Sequence, residues 1–305
     1  MSVIGINMTL TNYAQGFSQD NASALADFIA PEVRTGAASG QYKKFSDKNA
    51  FQVYNTARAI GGSRTRIEFL ADDEFFKARP QGLAIAIDDE ERNQVGDVEG
   101  AQLGLEEAKV TALVSTALTS REVSVFNSVK AAKPANAGVG VWSDDTVDPI
   151  AEIDAEIVAI YEATGIMPNR MVIGFGAWAV LRNHAKVKER LSGIDPVLTL
   201  QKLKDILINP EIDIRLGTMT RDINKFGKGK SAQNIVGGEI FTFIGSDNPT
   251  AFDPSFAKTF TTKKGGVDSV KVYRSEDNVS DMVAVDWSED VKVVAPIAGS
   301  RITLS

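Results

Sequence analysis

The nearest approach to a nucleotide-binding motif lies at residues 227–231, which read GKGKS. Gly229, Lys230 and Ser231 match the end of a Walker A sequence, where backbone amides and a lysine cradle phosphates at the start of a helix. That motif needs a glycine five positions before Gly229, and Asn224 stands there. The segment also connects two predicted strands and does not open a helix. These departures favour a solvated basic loop over a nucleotide site.

Catalysis and metal binding are restricted by two residue counts. The chain has no cysteine and a single histidine, His184. Disulfides, thiolate metal sites and two-histidine zinc sites are therefore impossible. A Ser-His-Asp triad would depend on His184 alone, which lies in a segment rich in Lys and Arg and is expected at a helix end near terminal carbonyls. We predict no catalytic, cofactor-binding or metal-binding residues and no enzymatic activity.

Charge is distributed unevenly between residues 39 and 107. Six cations accompany two anions in residues 39–70, whereas eleven anions accompany three cations in residues 71–107. Acidic runs of this kind are usually solvated, although they could bind divalent ions. We call the first group the basic loop: Tyr42, Lys43, Lys44, Lys48, Arg58, Arg64 and Arg66. We call the second group the acidic strip: Asp72, Asp73, Glu74, Asp88, Asp89, Glu90 and Glu91.

The basic loop has two possible partners. It could fold back on the acidic strip of its own chain, or it could lie over the acidic strip of a second copy. Opposite charges steer such encounters and fix their register more than they supply affinity. The charges leave open whose acidic strip receives the loop.

The composition is that of a globular protein without a membrane span. The 305 residues are 43% hydrophobic and 24% charged, with a net charge of −7. An acidic chain is a poor candidate for a protein that grips nucleic acid through phosphates. The sequence contains neither a signal peptide nor an apolar run of about 20 residues, so we expect no membrane association and synthesis in a reducing cytosol.

Local patterns divide the chain into an α+β arrangement. Residues 1–37 are predicted to form an extended N-terminal arm, and strand-like patches at 41–45, 50–58 and 64–70 predict a long hairpin with a turn at Gly61-Gly62. Apolar residues spaced by three and four predict one helix over about 97–132. Asp148 before Pro149 is a helix start, Gly165 is the end of that helix, and alternating helices and strands follow to about 246. Three further strands are predicted between 247 and 305, near SVKVYRS, MVAVDW and VKVVAPIAGSRITLS.

Several segments resemble the major capsid protein family of tailed bacteriophages. They are APEVRTGAASGQYKKFSDKNAFQVYNTARAIGG (30–62), DDEERNQVGD (88–97) and MPNRMVIGFGAWAVLRNHAKVKERL (167–191). The resemblance implies an N-terminal arm (1–37) and an extended β-loop (38–70) that reaches over a neighbouring subunit. It also implies a peripheral domain (71–147, completed by 247–305) that carries a spine helix, and an axial domain (148–246). Lys225, Lys228 and Lys230 would lie near the capsomer centre.

The same resemblance implies a function. The chain would self-assemble into hexamers and pentamers of an icosahedral virion capsid, built in the bacterial cytoplasm, that encloses double-stranded DNA without reading its sequence. A portal, decoration proteins and a separate scaffold protein are the expected partners. The chain lacks the long helical scaffolding segment of some relatives, so either a separate scaffold protein assists assembly or a longer precursor is trimmed, and the initiating Met1 favours the separate scaffold. An encapsulin-type compartment and a solitary α/β enzyme are the alternatives.

Overall fold

The computed structural model describes residues 5–20, 24–45, 56–58, 60–62, 64, 71–96, 99–191, 197–224, 227–262, 270–277 and 279–304. In this part of the chain, one sheet of six strands and one of four are accompanied by two small two-stranded sheets. The predicted α+β class is confirmed. None of the helices in the described ranges is long and apolar enough to cross a membrane.

The first half of the chain supplies a hairpin, one long helix and the strand that follows the hairpin. Its strands are β1 (Gly5–Ile6), β2 (Glu32–Arg34), β3 (Ser39–Phe45), β4 (Ala71–Lys77) and β5 (Arg79–Asp88). Its helices are α1 (Met8–Asp20), α2 (Ala26–Ile29), α3 (Asp89–Val95) and α4 (Glu99–Ala132).

The second half supplies the remaining helices and most of both large sheets. Its helices are α5 (Pro149–Thr164), α6 (Phe175–Asn183), α7 (Ala185–Leu191) and α8 (Leu200–Ile206). Its strands are β6 (Arg170–Gly174), β7 (Asp213–Gly217), β8 (Thr220–Asp222), β9 (Ala232–Asn234), β10 (Glu239–Phe243), β11 (Ala257–Thr261), β12 (Val270–Ser275), β13 (Ser280–Val293) and β14 (Gly299–Thr303). A 3₁₀ turn at Pro296–Ala298 precedes β14.

The larger sheet is organised around β13, and α4 packs against one of its faces. The strand order is β1-β12-β13-β11-β2, and β5 pairs antiparallel with the first ten residues of β13. Val110, Val114 and Ala117 of α4 are fully buried in an apolar cluster with strand residues such as Val283 and Val285. The helix predicted over about 97–132 is therefore confirmed as α4, whose length is about 50 Å at 1.5 Å per residue.

The N-terminal segment differs from the extended arm predicted for it. Residues 8–20 form helix α1, whose Leu10 and Ala14 are buried in the same cluster as α4. The Asn7 side chain accepts a hydrogen bond from the amide of Leu10 at 3.0 Å and caps the helix start. The prediction of an extended arm was wrong here. In this polar segment, two apolar residues one turn apart are enough to stabilise a helix, because a long helix lies alongside and covers them.

The smaller sheet has the order β14-β10-β6-β7 and is covered by α5 and the three helices that follow it. The predicted start of α5 is confirmed, since Asp148 accepts hydrogen bonds from the amides of Ile150 and Ala151. Gly165 ends the helix in the left-handed conformation, with φ of 71°. Ile153 and Ile157 of α5 are fully buried together with Met171 and Ile173 of β6.

Strand pairing corrects one further prediction. The two segments that read MVAVDW and VKVV form a single continuous strand, β13, since the acidic residues between them sit within the ladder.

The predicted hairpin is described only in part. Strand β3 pairs with β4, which contains the acidic run 72–74. Of the other strand patches predicted, 50–58 and 64–70, residues 56–58 and 64 are described and lie outside any strand, and the rest lie outside the described residues. The predicted turn is found at Gly61, with φ of 81°.

Candidate assembly surfaces

The base of the predicted extended loop is the β3–β4 hairpin. Tyr42, Phe76 and Phe260 bury one face of the hairpin, and the Phe76 and Phe260 rings stack with centroids 4.4 Å apart. Gly40 is required opposite Phe76, because a Cβ there would lie 2.9 Å from the ring. The hairpin is thus fixed to the larger sheet through its aromatic face.

The hairpin brings the first residues of the basic loop together with the first residues of the acidic strip. Lys43 pairs with Asp73 at 2.7 Å and Lys44 with Glu74 at 2.6 Å, while the Tyr42 hydroxyl donates to Glu74 at 2.6 Å. The hydrogen bonds from Lys44 and then Tyr42 lower the pKa of Glu74. Burial, followed by the bond to Glu74, raises the pKa of Tyr42. These contacts all lie within one chain.

The outer face of the same hairpin carries an unusual aromatic residue. Phe75 is 70% exposed although it lies in a paired strand, beside the Lys43–Asp73 ion pair. Of the other loop residues, Arg58 donates to the carbonyl of Gly62 at 3.2 Å and Arg64 is exposed. Lys48 and Arg66 lie outside the described residues.

The second half of the acidic strip surrounds the start of α3. Asp88 caps α3 by accepting from the amide of Glu90 at 2.8 Å. Asp89 pairs with Arg274 at 2.5 Å and Glu91 with Lys109 at 2.7 Å. Those hydrogen bonds lower the pKa of both carboxyls. Arg274 and Lys109 do not belong to the basic loop, so receipt of a neighbour's loop by these acids stays a prediction.

A second projecting element is the β8–β9 hairpin, which contains the GKGKS segment. Residues 229–231 lie in the connection between two antiparallel strands, as predicted, and no helix follows them directly. Asp222 fastens this connection by accepting from the amides of Asn224 and Ser231, both at 3.0 Å. Lys228 and Lys230 are exposed, whereas Lys225 lies outside the described residues.

His184 lies at a helix end, as predicted, since it is the residue that ends α6. The residue is 4% exposed, and its ring Nδ1 accepts from the amide of Lys186 at 3.2 Å, at the start of α7. The predicted contact of the ring with terminal carbonyls is wrong, because the chain turns directly from α6 into α7 and the ring caps the start of the second helix. Nε2 is buried without a hydrogen-bond partner in the described part of the chain. The described ranges also contain no group of three or more His, Asp or Glu placed to hold a metal ion.

A buried charge cluster on α4 was missed by the sequence reasoning. Arg121 is 3% exposed and contacts carboxylates of Asp27, Glu32 and Glu289. Glu122 is fully buried and accepts from the amides of Leu25 and Ala26. The signal was present in the sequence: position 122 falls on the apolar stripe of α4, four residues after Leu118 and four before Phe126, where a charged residue needs a buried partner.

Comparison with known proteins finds phage proteins that are similar to this chain over most of its length. No protein-family model matches it. The major capsid protein of Burkholderia phage BcepMu is 24% identical over 281 residues, which cover 88% of this chain and 87% of that protein. A phage-related protein from Bordetella bronchiseptica RB50 has the same fold, with a TM-score of 0.75, 22% identity, and coverage of 99% of this chain and 97% of that one.

Two other solved structures share the fold at lower identity. The capsid of Myoviridae phage XM1 has a TM-score of 0.52 and 11% identity, covering 100% of this chain and 94% of that one. The holo-SrpI encapsulin of Synechococcus elongatus PCC 7942 has a TM-score of 0.55 and 10% identity, covering 93% and 87%. The fold is therefore one shared by viral capsid proteins and encapsulins. The curated phage relative and the phage structures support the tailed-phage major capsid family, as the sequence resemblance predicted.

The two lysines paired within the β3–β4 hairpin provide a test of the extended loop. We expect the double substitution Lys43→Glu with Lys44→Glu to reduce the yield of assembled particles strongly, while it lowers the melting temperature of the monomer only slightly. Half-exposed ion pairs such as these contribute only about 0.2–1 kcal/mol each to folding. Sedimentation of assembled particles and thermal unfolding of the monomer measure the two effects.

The matched control adds Asp73→Lys and Glu74→Lys, which recreates both ion pairs with reversed charges. If assembly recovers fully in this fourfold variant, the pairs within the chain account for the defect. That outcome would contradict a contact between these lysines and a neighbouring subunit.

Proposed function

We propose that this chain is the structural subunit of an icosahedral phage head and self-assembles from hexamers and pentamers around double-stranded DNA. The observation that carries the proposal is the nearly full-length match to the major capsid protein of phage BcepMu. Because the alignment covers most of both chains, the similarity extends over the whole fold and is not limited to one domain that the two proteins have in common.

Exposed surfaces on two hairpins support a role in assembly and not in catalysis. A shell subunit needs surfaces that neighbouring copies can contact, and the outer face of the β3–β4 hairpin and the β8–β9 connection both carry exposed side chains. The exposed Phe75 beside a charge pair is the type of aromatic anchor that interfaces favour. We propose that residues 38–70 reach over a neighbouring subunit and that the axial domain faces the capsomer centre.

Further partners follow from the same proposal. A scaffold protein would assist assembly in the bacterial cytoplasm, and a portal and decoration proteins would complete the virion. The net charge of −7 suits a shell that encloses DNA without holding it tightly.

An encapsulin-type compartment is the second candidate, because the holo-SrpI encapsulin shares the fold over most of both chains. The two functions differ in what the shell contains. A phage head holds nuclease-protected DNA, whereas a compartment of this type holds cargo protein.

Sedimentation and electron microscopy of the purified chain, with and without a co-expressed scaffold, test the proposal. We expect closed shells of uniform size. Particles from phage-infected cells should contain nuclease-protected DNA, and particles filled with protein cargo would favour the second candidate. A chain that remains monomeric or dimeric at every salt concentration, with and without scaffold, would contradict both.

A further inference from the structure

An exposed apolar patch lies at one end of the smaller sheet. Its members are Tyr161, Ile166, Met167 and Ile208, which are 49%, 49%, 41% and 50% exposed. Tyr161 is in the last turn of α5, the next two residues follow Gly165, and Ile208 follows α8. We call these four residues the axial patch.

Hydrogen bonds hold the segments of the axial patch side by side. The amide of Ile208 donates to Asp154 of α5 at 2.9 Å, and Asp154 lies two helical turns before Tyr161 on the same face. The side chain of Asn209 donates to the carbonyl of Pro168 at 2.9 Å. The patch is therefore preorganised by its own chain.

The surroundings of the axial patch are acidic. Residues 158–169 and 205–213, which carry its surface members and their neighbours, contain Glu162, Asp205, Glu211 and Asp213. The cations that border these ranges are Lys204, Arg170, which pairs with Asp247, and Arg215. Of these acids, Asp213 pairs with Arg215 at 3.3 Å. Glu162, Asp205 and Glu211 are exposed. An apolar centre with an acidic rim fits a partner that carries an apolar residue among cations.

The β8–β9 hairpin has that complementary composition. Residues 221–230 contain Arg221 and three lysines against the single acid Asp222. Ile223 is 55% exposed beside Lys228 and Lys230, which are also exposed. Asp222 accepts the two amide hydrogen bonds that shape the connection, and the amide of Ile223 donates to the carbonyl of Ser231 at 3.1 Å.

The axial patch and the β8–β9 hairpin lie at opposite ends of the same pair of strands. β6 and β7 run parallel, with Arg170 beside Asp213 and Gly174 beside Gly217. The patch precedes the amino ends of these strands, whereas the hairpin follows the carboxyl end of β7. Five residues at 3.3 Å each separate the two ends by about 15 Å, so the hairpin and the patch of one chain lie at opposite ends of these strands.

Two complementary surfaces at opposite ends of a subunit produce a heterologous contact, which closes into a ring when each copy docks on the next. We propose that the axial patch of one copy receives the β8–β9 hairpin of the neighbouring copy, with Ile223 on the apolar centre and Lys228 and Lys230 against Glu162 and Glu211. This inference rests on the proposed shell function and identifies the surface through which copies join around a capsomer.

The absence of cysteine from the sequence allows a direct cross-linking test. A variant with Ile208→Cys and Lys228→Cys carries one thiol on each surface. After assembly and mild oxidation, we expect a ladder of covalent oligomers beyond the dimer on a non-reducing gel. Each single variant can give no product larger than a dimer. The matched control pair is Lys188→Cys with Lys228→Cys, since Lys188 is an exposed lysine elsewhere on the axial domain.

The outcomes separate this contact from the shell function itself. Particles that form normally but give no ladder, or a ladder equal to that of the control pair, would overturn the docking and leave the proposed function intact. A wild-type chain that forms no particles, together with a variant that gives no ladder, would contradict both proposals.

Charge reversal gives an independent readout of the same contact. Glu162→Lys with Glu211→Lys, and separately Lys228→Glu with Lys230→Glu, should each lower the yield of assembled particles at least about tenfold by placing like charges together. The chain that carries all four substitutions should recover assembly. Thermal unfolding of each monomer identifies folding defects, and a fourfold variant no better than either pair would count against the docking.

Discussion

Replacing Arg121 by methionine should lower the free energy of unfolding by about 3–5 kcal/mol, the usual cost of removing one partner from a buried ion pair. The guanidinium contacts Asp27 at 2.5 Å, Glu32 at 3.0 Å and Glu289 at 3.1 Å. Burial alone would lower the pKa of Arg121, but the attraction of Asp27, then of Glu32 and Glu289, outweighs it and raises that pKa. Without Arg121, the carboxylate of Glu289, which is 4% exposed, is left as a buried charge without its cationic partner, and this destabilises the folded state.

Chemical denaturation of the monomer measures this effect. Arg182→Met is the matched control, because Arg182 is an exposed arginine on α6 and its loss should change stability by no more than about 0.5 kcal/mol. Adding Glu289→Gln to Arg121→Met should recover part of the loss by removing the uncompensated charge. If Arg121→Met alone lowers the free energy of unfolding by less than about 1 kcal/mol, the ion pairs of Arg121 do not stabilise the fold substantially.

The cluster also explains how the N-terminal segment is attached. Arg121 lies on α4, Asp27 on α2, Glu32 on β2 and Glu289 on β13. One guanidinium therefore joins α4, the central strand of the larger sheet and the two short elements before the β3–β4 hairpin. We expect Arg121→Met to loosen this attachment beside the β3–β4 hairpin.

The second large effect is a pH dependence of stability produced by Glu122. Burial raises the pKa of this carboxyl to about 7, and the amide hydrogen bonds from Leu25 and Ala26 offset only part of the shift. In the unfolded chain the pKa returns to about 4.3. Between these values the folded state binds the proton and the unfolded state does not, so the stability contributed by Glu122 falls as pH rises.

Glu122→Gln removes this titration while it keeps an oxygen that can accept the two amide hydrogen bonds. Below about pH 4.5 the carboxyl is protonated in both states, so the variant should be nearly as stable as the wild type. As pH rises to about 7, the variant should gain up to about 4 kcal/mol over the wild type, and the difference should then stay constant.

Urea denaturation of both proteins at pH 5, 6, 7 and 8 gives this difference directly, and titrations common to both proteins cancel. Glu107→Gln, at a partly buried position of the same helix, is the control for the substitution itself. A flat difference between Glu122→Gln and the wild type would mean that the Glu122 carboxyl does not change protonation on folding in this range.

The sequence by itself determined the elements that depend on neighbours along the chain. The three- and four-residue apolar spacing predicted α4 within two residues of its observed start, and Asp148, Pro149 and Gly165 predicted both ends of α5. These signals are local, because helix hydrogen bonds and caps join residues no more than a few positions apart. The ordered set of family-like segments likewise predicted the fold.

Only the tertiary structure decided what depends on distant partners. Helix α1 forms because α4 covers Leu10 and Ala14, and Lys43 and Lys44 find Asp73 and Glu74 because β3 pairs with a strand about thirty residues away. Arg121 and Glu122 gain their roles from segments more than eighty residues distant. The axial patch and the β8–β9 hairpin lie at opposite ends of the subunit's smaller sheet because β6 and β7 pair in parallel. The relative direction of two strands is determined by their pairing, which the local sequence does not specify.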